Sequence, residues 1–267
     1  MSLDIGSIMR SWPFKPGQVN VRRIIGDDGL EKIQLRLDLG VLQMETAGRP
    51  DGIEPHGHAS LLSYYESKLQ RHIQRHGSAE GFSLSQADCE SLRGEGIMFY
   101  HRYLATFVLG DYESAVVDTQ RNLRMFDFCA AYAEDENDRH VLEQNRPYVM
   151  MMHVRAKAQA ALGKKQPRRA LAAVRKGLAD IEELFRGLGR EDLIDTSREM
   201  SVLRTLAGEI RDQIPVDPKT KLRRALRKAI SEEQYEEAAK LRDQLNELSG
   251  NETAGDMVSG EADGLEG

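Results

Sequence analysis

Only one stretch of this chain alternates apolar and polar residues with a period of two, which confines β-structure to its N-terminal end. Ile33, Leu35, Leu37, Leu39 and Val41 alternate with Lys32, Gln34, Arg36, Asp38 and Gly40, the pattern of a half-buried strand. An earlier strand over Val19–Ile25 joins it through Gly26-Asp27-Asp28-Gly29, a turn whose glycines permit positive φ. The segment therefore reads as a β-hairpin. Two strands are marginal alone in water, so the Ile33–Val41 face should dock on the helices that follow or on a second copy. Beyond this region the apolar spacing is helical. Aromatic residues are only 6% of the chain, which suits packing of Leu and Ala between helices. The fold class expected is mainly α.

After a turn-rich connector, Gly48–Gly52 and Pro55–His58, the helices have legible ends. Leu62, Tyr65, Leu69 and Ile73 line one face of a helix that Gly77 can close. Ser85 and Asp88 form an N-terminal capping sequence for the next, which stops at Gly110. Pro147 opens a later helix ended by Gly163, and Pro167 opens one running to Phe185. A long helix over Glu191–Gln213 completes the block. Two prolines in Ile214–Pro218 then forbid helical continuity. The divisions expected are 1–55 (β-hairpin segment), 56–214 (helical block), 215–249 (terminal hairpin) and 250–267, an acidic tail too poor in apolar residues to order itself.

The terminal hairpin is the most informative part for function. Leu222, Leu226, Ala229 and Ile230 lie at helical spacing, as do Ala238, Leu241, Leu245 and Leu248, with the polar break Ser231-Glu232-Glu233-Gln234 between them. Chains under roughly 40 residues rarely enclose enough surface to stand alone, so these faces must meet another surface. The run Tyr235-Glu236, Ala238-Ala239, Leu241-Arg242-Asp243 resembles the UVR motif, the hairpin through which the excision-repair proteins UvrB and UvrC recognise each other. Similar hairpins occur in some Clp-family ATPases and in activators of bacterial protein-arginine kinases. The resemblance implies antiparallel pairing of two hairpins into a small four-helix arrangement. Leu222, Leu226, Ile230, Tyr235, Ala239, Leu241 and Leu245 would form the seam, while Arg242 and Asp243 would set register and partner choice. The partner implied is another UVR-bearing protein or a second copy.

Two stretches of the helical block also look alike: Tyr103 to Val116, and Ala158 to Leu171. Each reads as helix, Leu-Gly stop, short turn and a helix opening on alanine, and so resembles tetratricopeptide (TPR) repeats. Gly110, Tyr112 and Ala115 match that family's spacing; the second unit departs from it by about two extra residues between Gly163 and Ala170.

Catalytic signatures are missing. No phosphate loop, no G-x-G-x-x-G after a strand and no G-x-S-x-G elbow appears, so a non-enzyme without cofactors is expected. Cys89 and Cys129, far apart in sequence, encode neither a disulfide framework nor a thiolate zinc site. His72 and His76 at i, i+4, with His56 and His58 nearby, read as a polar helix face rather than a metal site. Met1–Phe14 lacks the flank and apolar run of a signal peptide, and no stretch is apolar enough for a membrane span, so a cytoplasmic protein is expected. The net charge of −6 opposes wholesale polyanion binding, although residues 219–228 carry six bases and no acid. An accessory nucleic-acid-binding factor in DNA repair is the alternative function. The expected role is that of an adaptor.

Overall fold

A computed structural model describes residues 4–214 and 218–258, with side chains described through Ile214 and from Lys221 to Asn246. The chain divides into two compact units, 1–211 and 212–267. The first opens with α1 (Gly6–Ser11) and three strands, β1 (Asn20–Ile25), β2 (Glu31–Leu37) and β3 (Gly40–Glu45), antiparallel in the order β1-β2-β3. The expected hairpin is thus a three-stranded meander. Alternation runs unbroken through Val41 because the loop at Asp38-Leu39 has two residues, which preserves the parity of a period-two pattern. Leu39, expected on the buried face, sits at the tip of that loop and is 89% exposed.

The helices of this unit are α2 (Leu61–His76), α3 (Gln86–Val108), α4 (Tyr112–Tyr132), the short α5 (Glu136–His140), α6 (Arg146–Gly163), α7 (Pro167–Gly187), the short α8 (Asp192–Thr196) and α9 (Arg198–Gln213). Serines start two of them: Ser60 and Ser85 each accept from the backbone N–H three residues on and close a capping box. The expected helix over Glu191–Gln213 is divided, because Ser197 adopts extended backbone between α8 and α9. Helices pack in chain order, α3 on α4, α4 on α6 and α6 on α7.

Ile33, Leu35 and Met44 bury one sheet face against Ala105 of α3. The other face is a polar ladder. Lys32 Nζ lies 2.6 Å from both Asp28 and Glu45, and Gln34 accepts from Arg22 and donates to Gln43. Trp12 anchors here, with its ring 4.2 Å beneath the Arg22 guanidinium and its carbonyl accepting from Arg36.

A buried charged knot ties α2, α3 and α4 together. Glu95 accepts the backbone N–H groups of Leu61 and Leu62, acting as a cap in trans for α2, and pairs with Arg121 and with Arg49 3.3 Å away. Arg102 makes a two-pronged bond to Asp118 at 2.8 Å. Cys89 and Cys129 meet as free thiols between α3 and α4, and burial pushes Cys129 up to about 12.

The α3–α4 and α6–α7 connections share one geometry. Gly110, at φ +79, donates its N–H to Phe107, and Asp111 donates to Thr106. Lys165, at φ +57, donates to Leu162, and Gln166 donates to Ala161. Both are Schellman closures, followed at once by a new helix. Thr106 faces Ala115 across the first corner and Ala161 faces Ala170 across the second, all buried. The two units are therefore in register without extra residues. The apparent surplus between Gly163 and Ala170 arises from pairing Gly163 with Gly110, whereas Lys165 holds the equivalent place.

Candidate docking hairpin

The second unit holds α10 (Pro218–Ser231) and α11 (Tyr235–Val258), packed on each other. Pro218 suits a first helical turn, where its missing N–H leaves no bond unmade. The two helices meet in a third Schellman closure. Glu233 stands at φ +58 and donates to Ile230, while Gln234 donates to Ala229 at 2.8 Å. Gln234 then accepts from Ala238 at 3.0 Å, and the acids Glu236 and Glu237 lie in the first turn of α11, where the helix dipole favours them. Ala229 and Ala238 are buried at 4% and 8% exposure. Their small side chains let the helices close at the bend.

The three corners superpose residue by residue in sequence. Thr106, Ala161 and Ala229 stand in one place; Ala115, Ala170 and Ala238 stand in the other. Carrying that register along, Leu241 and Leu245 hold the places of Asp118 and Asn122, which bond back to Arg102 and to Gly96 of the paired helix. Leu222 and Leu226 hold the places of the buried Phe99 and Tyr103. The leucines thus lie along the closure of the hairpin itself, and Leu222, Leu226, Leu241 and Leu245 remain half-buried there with Ala239. Ile230 and Tyr235 are different. At 54% and 70% exposure they flank the bend and open to solvent.

Arg242 donates to its neighbour Asp243 at 3.1–3.2 Å, and both side chains are exposed. On α10, Lys221, Arg223, Arg224, Arg227 and Lys228 are exposed, with Lys228 3.8 Å from Glu232. The side chain of Leu248 lies outside the described residues. So does the expected acidic tail, apart from the α11 backbone to Val258.

The hairpin's place in a known family follows from one comparison. Residues 218–250 match the family model described as the UvrB/uvrC motif. That match covers α10 and the part of α11 up to residue 250, and none of the first unit. No curated protein and no solved structure matches the chain.

Signals that sequence reading passed over are the left-handed residues Lys165 and Glu233, since neither is the glycine or asparagine usually found there. The constant spacing from Thr106 to Ala115, Ala161 to Ala170 and Ala229 to Ala238 could have revealed them. The His72 and His76 rings lie tilted with centroids 4.5 Å apart, and His56 stacks on Tyr64. Among the described residues no group of three or more His, Cys, Asp or Glu is placed to hold a metal ion, and no helix is long and apolar enough to cross a membrane.

Proposed function

We propose that the protein is a non-enzymatic, cytoplasmic adaptor or regulator that docks on a protein partner through the α10–α11 hairpin. The observation that carries this is the open pair Ile230 and Tyr235 on a hairpin whose 33-residue span matches the UvrB/uvrC motif. Covering two such partly exposed side chains is worth about 1–2 kcal/mol each before the cost of association. With contributions from the half-buried leucines, that supports a complex of moderate strength. The partner is another hairpin of the same motif or a second copy of this chain, and the TPR-like body offers a second surface.

The test is a double substitution, Ile230→Asp with Tyr235→Asp, at two exposed positions that leave the Ala229–Ala238 closure intact. Sedimentation equilibrium should show loss of self-association, and binding to a UvrB-type hairpin should fall by at least about tenfold. Unchanged association with an unchanged helical spectrum refutes the docking role.

One observation supports nucleic-acid contact as a second reading: the exposed bases of α10. A phosphate-binding role predicts affinity for DNA fragments that falls steeply with added salt. Salt-insensitive or absent binding removes it.

A further inference from the structure

In a chain of net charge −6, the stretch from Arg146 to Gly177 places nine arginines and lysines and not one aspartate or glutamate. It is the whole of α6, its connection and the first half of α7. Arg146 and Arg155 are engaged within the body, the former with Glu143 and Asp127, the latter 4.6 Å over the Phe107 ring. The remaining bases are exposed.

A groove of about 800 Å³ opens on this helix pair, running over α6 between α4 and α7. Its floor is small and aliphatic, with Val116, Val154, Ala160 and Ala173 among its lining. Gly177 keeps that floor low: a Cβ there would meet Val154 Cγ2 at 2.2 Å. Lys157, Lys164, Arg169 and Lys176 stand around it. Two of these have carboxylates, Lys164 with Glu113 at 2.6 Å and Lys176 with Asp180 at 2.8 Å. Both pairs are exposed, so each is weakly held and open to exchange with an incoming carboxylate. Lys157 has no ion-pair partner among the described residues, and Arg169 reaches only the Gln166 amide at 3.4 Å.

One buried polar group lies in the groove wall. His153, 8% exposed, sits with Nδ1 2.9 Å from Thr119 Oγ1. It adds a buried hydrogen-bonding group to a lining whose other polar residues, the four cations with Glu113, Asp180, Gln120 and Gln166, stand around the aliphatic floor.

We infer that this groove binds an acidic segment of a partner protein, with small apolar side chains on the α6 floor and carboxylates on Lys157 and Arg169. Charge decides the sign of the partner, and the floor decides its class. Single-stranded nucleic acid is held by aromatic faces on which bases stack, and no Phe, Tyr or Trp lines this groove. An aliphatic floor with cations at its sides fits a peptide that alternates acidic and small apolar residues. The inference deepens the adaptor reading at its second surface and does not involve the hairpin.

The experiment pans a random dodecapeptide display library against the full-length protein and, separately, against Lys157→Glu/Arg169→Glu. Both positions are exposed, and a matched thermal melt confirms that the variant folds. The wild-type protein should enrich acidic sequences that the variant does not. The leading peptide, synthesised with a fluorescein label, should bind the variant at least about tenfold more weakly by anisotropy. Its glutamine-for-glutamate version should lose binding, and oligothymidylate should not displace it. Ile230→Asp/Tyr235→Asp should leave its affinity unchanged, so a failed hairpin and a failed groove give separate results. A selected pool without acidic bias, binding that survives charge reversal, or displacement by oligothymidylate overturns the inference.

Discussion

The α3–α4 corner and the α10–α11 corner have the same backbone but different surroundings. At the first, Phe107 and Tyr112 pack edge to face with centroids 5.3 Å apart, and Arg155 from the next helix lies over Phe107. At the second, Ile230 and Tyr235 occupy the corresponding places and stand open. The inner faces differ as well. α4 meets α3 through Arg102–Asp118 and Asn122, buried and fully specified; α11 brings leucines to the same places, half-buried. A corner geometry is therefore a local property, satisfied wherever a Schellman closure is followed by a small residue at the start of the next helix. Whether it becomes core or surface depends on what packs behind it.

The largest break in this contrast should come from the body's charged knot. Glu95→Ala leaves Arg121 buried without its carboxylate, leaves Arg49 with Asp51 alone, and strips the cap from Leu61 and Leu62. Removing one partner of such a buried set costs about 3–5 kcal/mol. Chemical denaturation should show that loss in the body's transition while hairpin-dependent association persists. Next, Gly177→Ala forces a methyl against Val154, and overpacking of this kind costs about 1–3 kcal/mol. Scanning calorimetry reads it as a lowered Tm.

A pH dependence should separate the regions further. Burial, with help from Lys157, pushes His153 down to about 4. The folded state thus binds the proton more weakly than the unfolded chain, whose histidine titrates near 6.5. The associated stability is complete above pH 6.5 and is lost as pH falls towards 4, with a total on the order of 3 kcal/mol. His153→Gln should flatten that part of the body's stability–pH profile, as measured by urea melts. The smallest effect belongs to the corners themselves. A side chain at a left-handed position costs about 1 kcal/mol relative to glycine, so Glu233→Gly should raise the hairpin's helicity by circular dichroism, and Lys165→Gly should stabilise the body by a similar amount. Gly110→Ala should do the reverse.

Much of this was legible in the chain. Capping at Ser85 and Asp88, closure of α2 at Gly77 and the polar break before Tyr235 all depend on bonds between residues a few positions apart, and these appeared as read. The third strand was hidden because a two-residue loop does not disturb alternation. The repeat register was misread because lysine rather than glycine holds the left-handed place at the second corner. The basic groove was open to detection from the acid-free stretch between Arg146 and Gly177, but its apolar floor was not. Val116 and Val154 come from different helices, and nothing local says that they face one space.

By itself the sequence determined the mainly helical class, the position of the sheet, the helix ends and the terminal hairpin with its UvrB/uvrC-type residues. These follow from propensity, capping and spacing, which act over a turn or two of chain. Only tertiary structure decided that Glu95 caps a helix from another element, that Cys89 meets Cys129, and that equivalent corner residues are covered in one hairpin and open in the other. Burial and pairing of this kind arise from groups distant in the chain, and their energies depend on which neighbours exclude water.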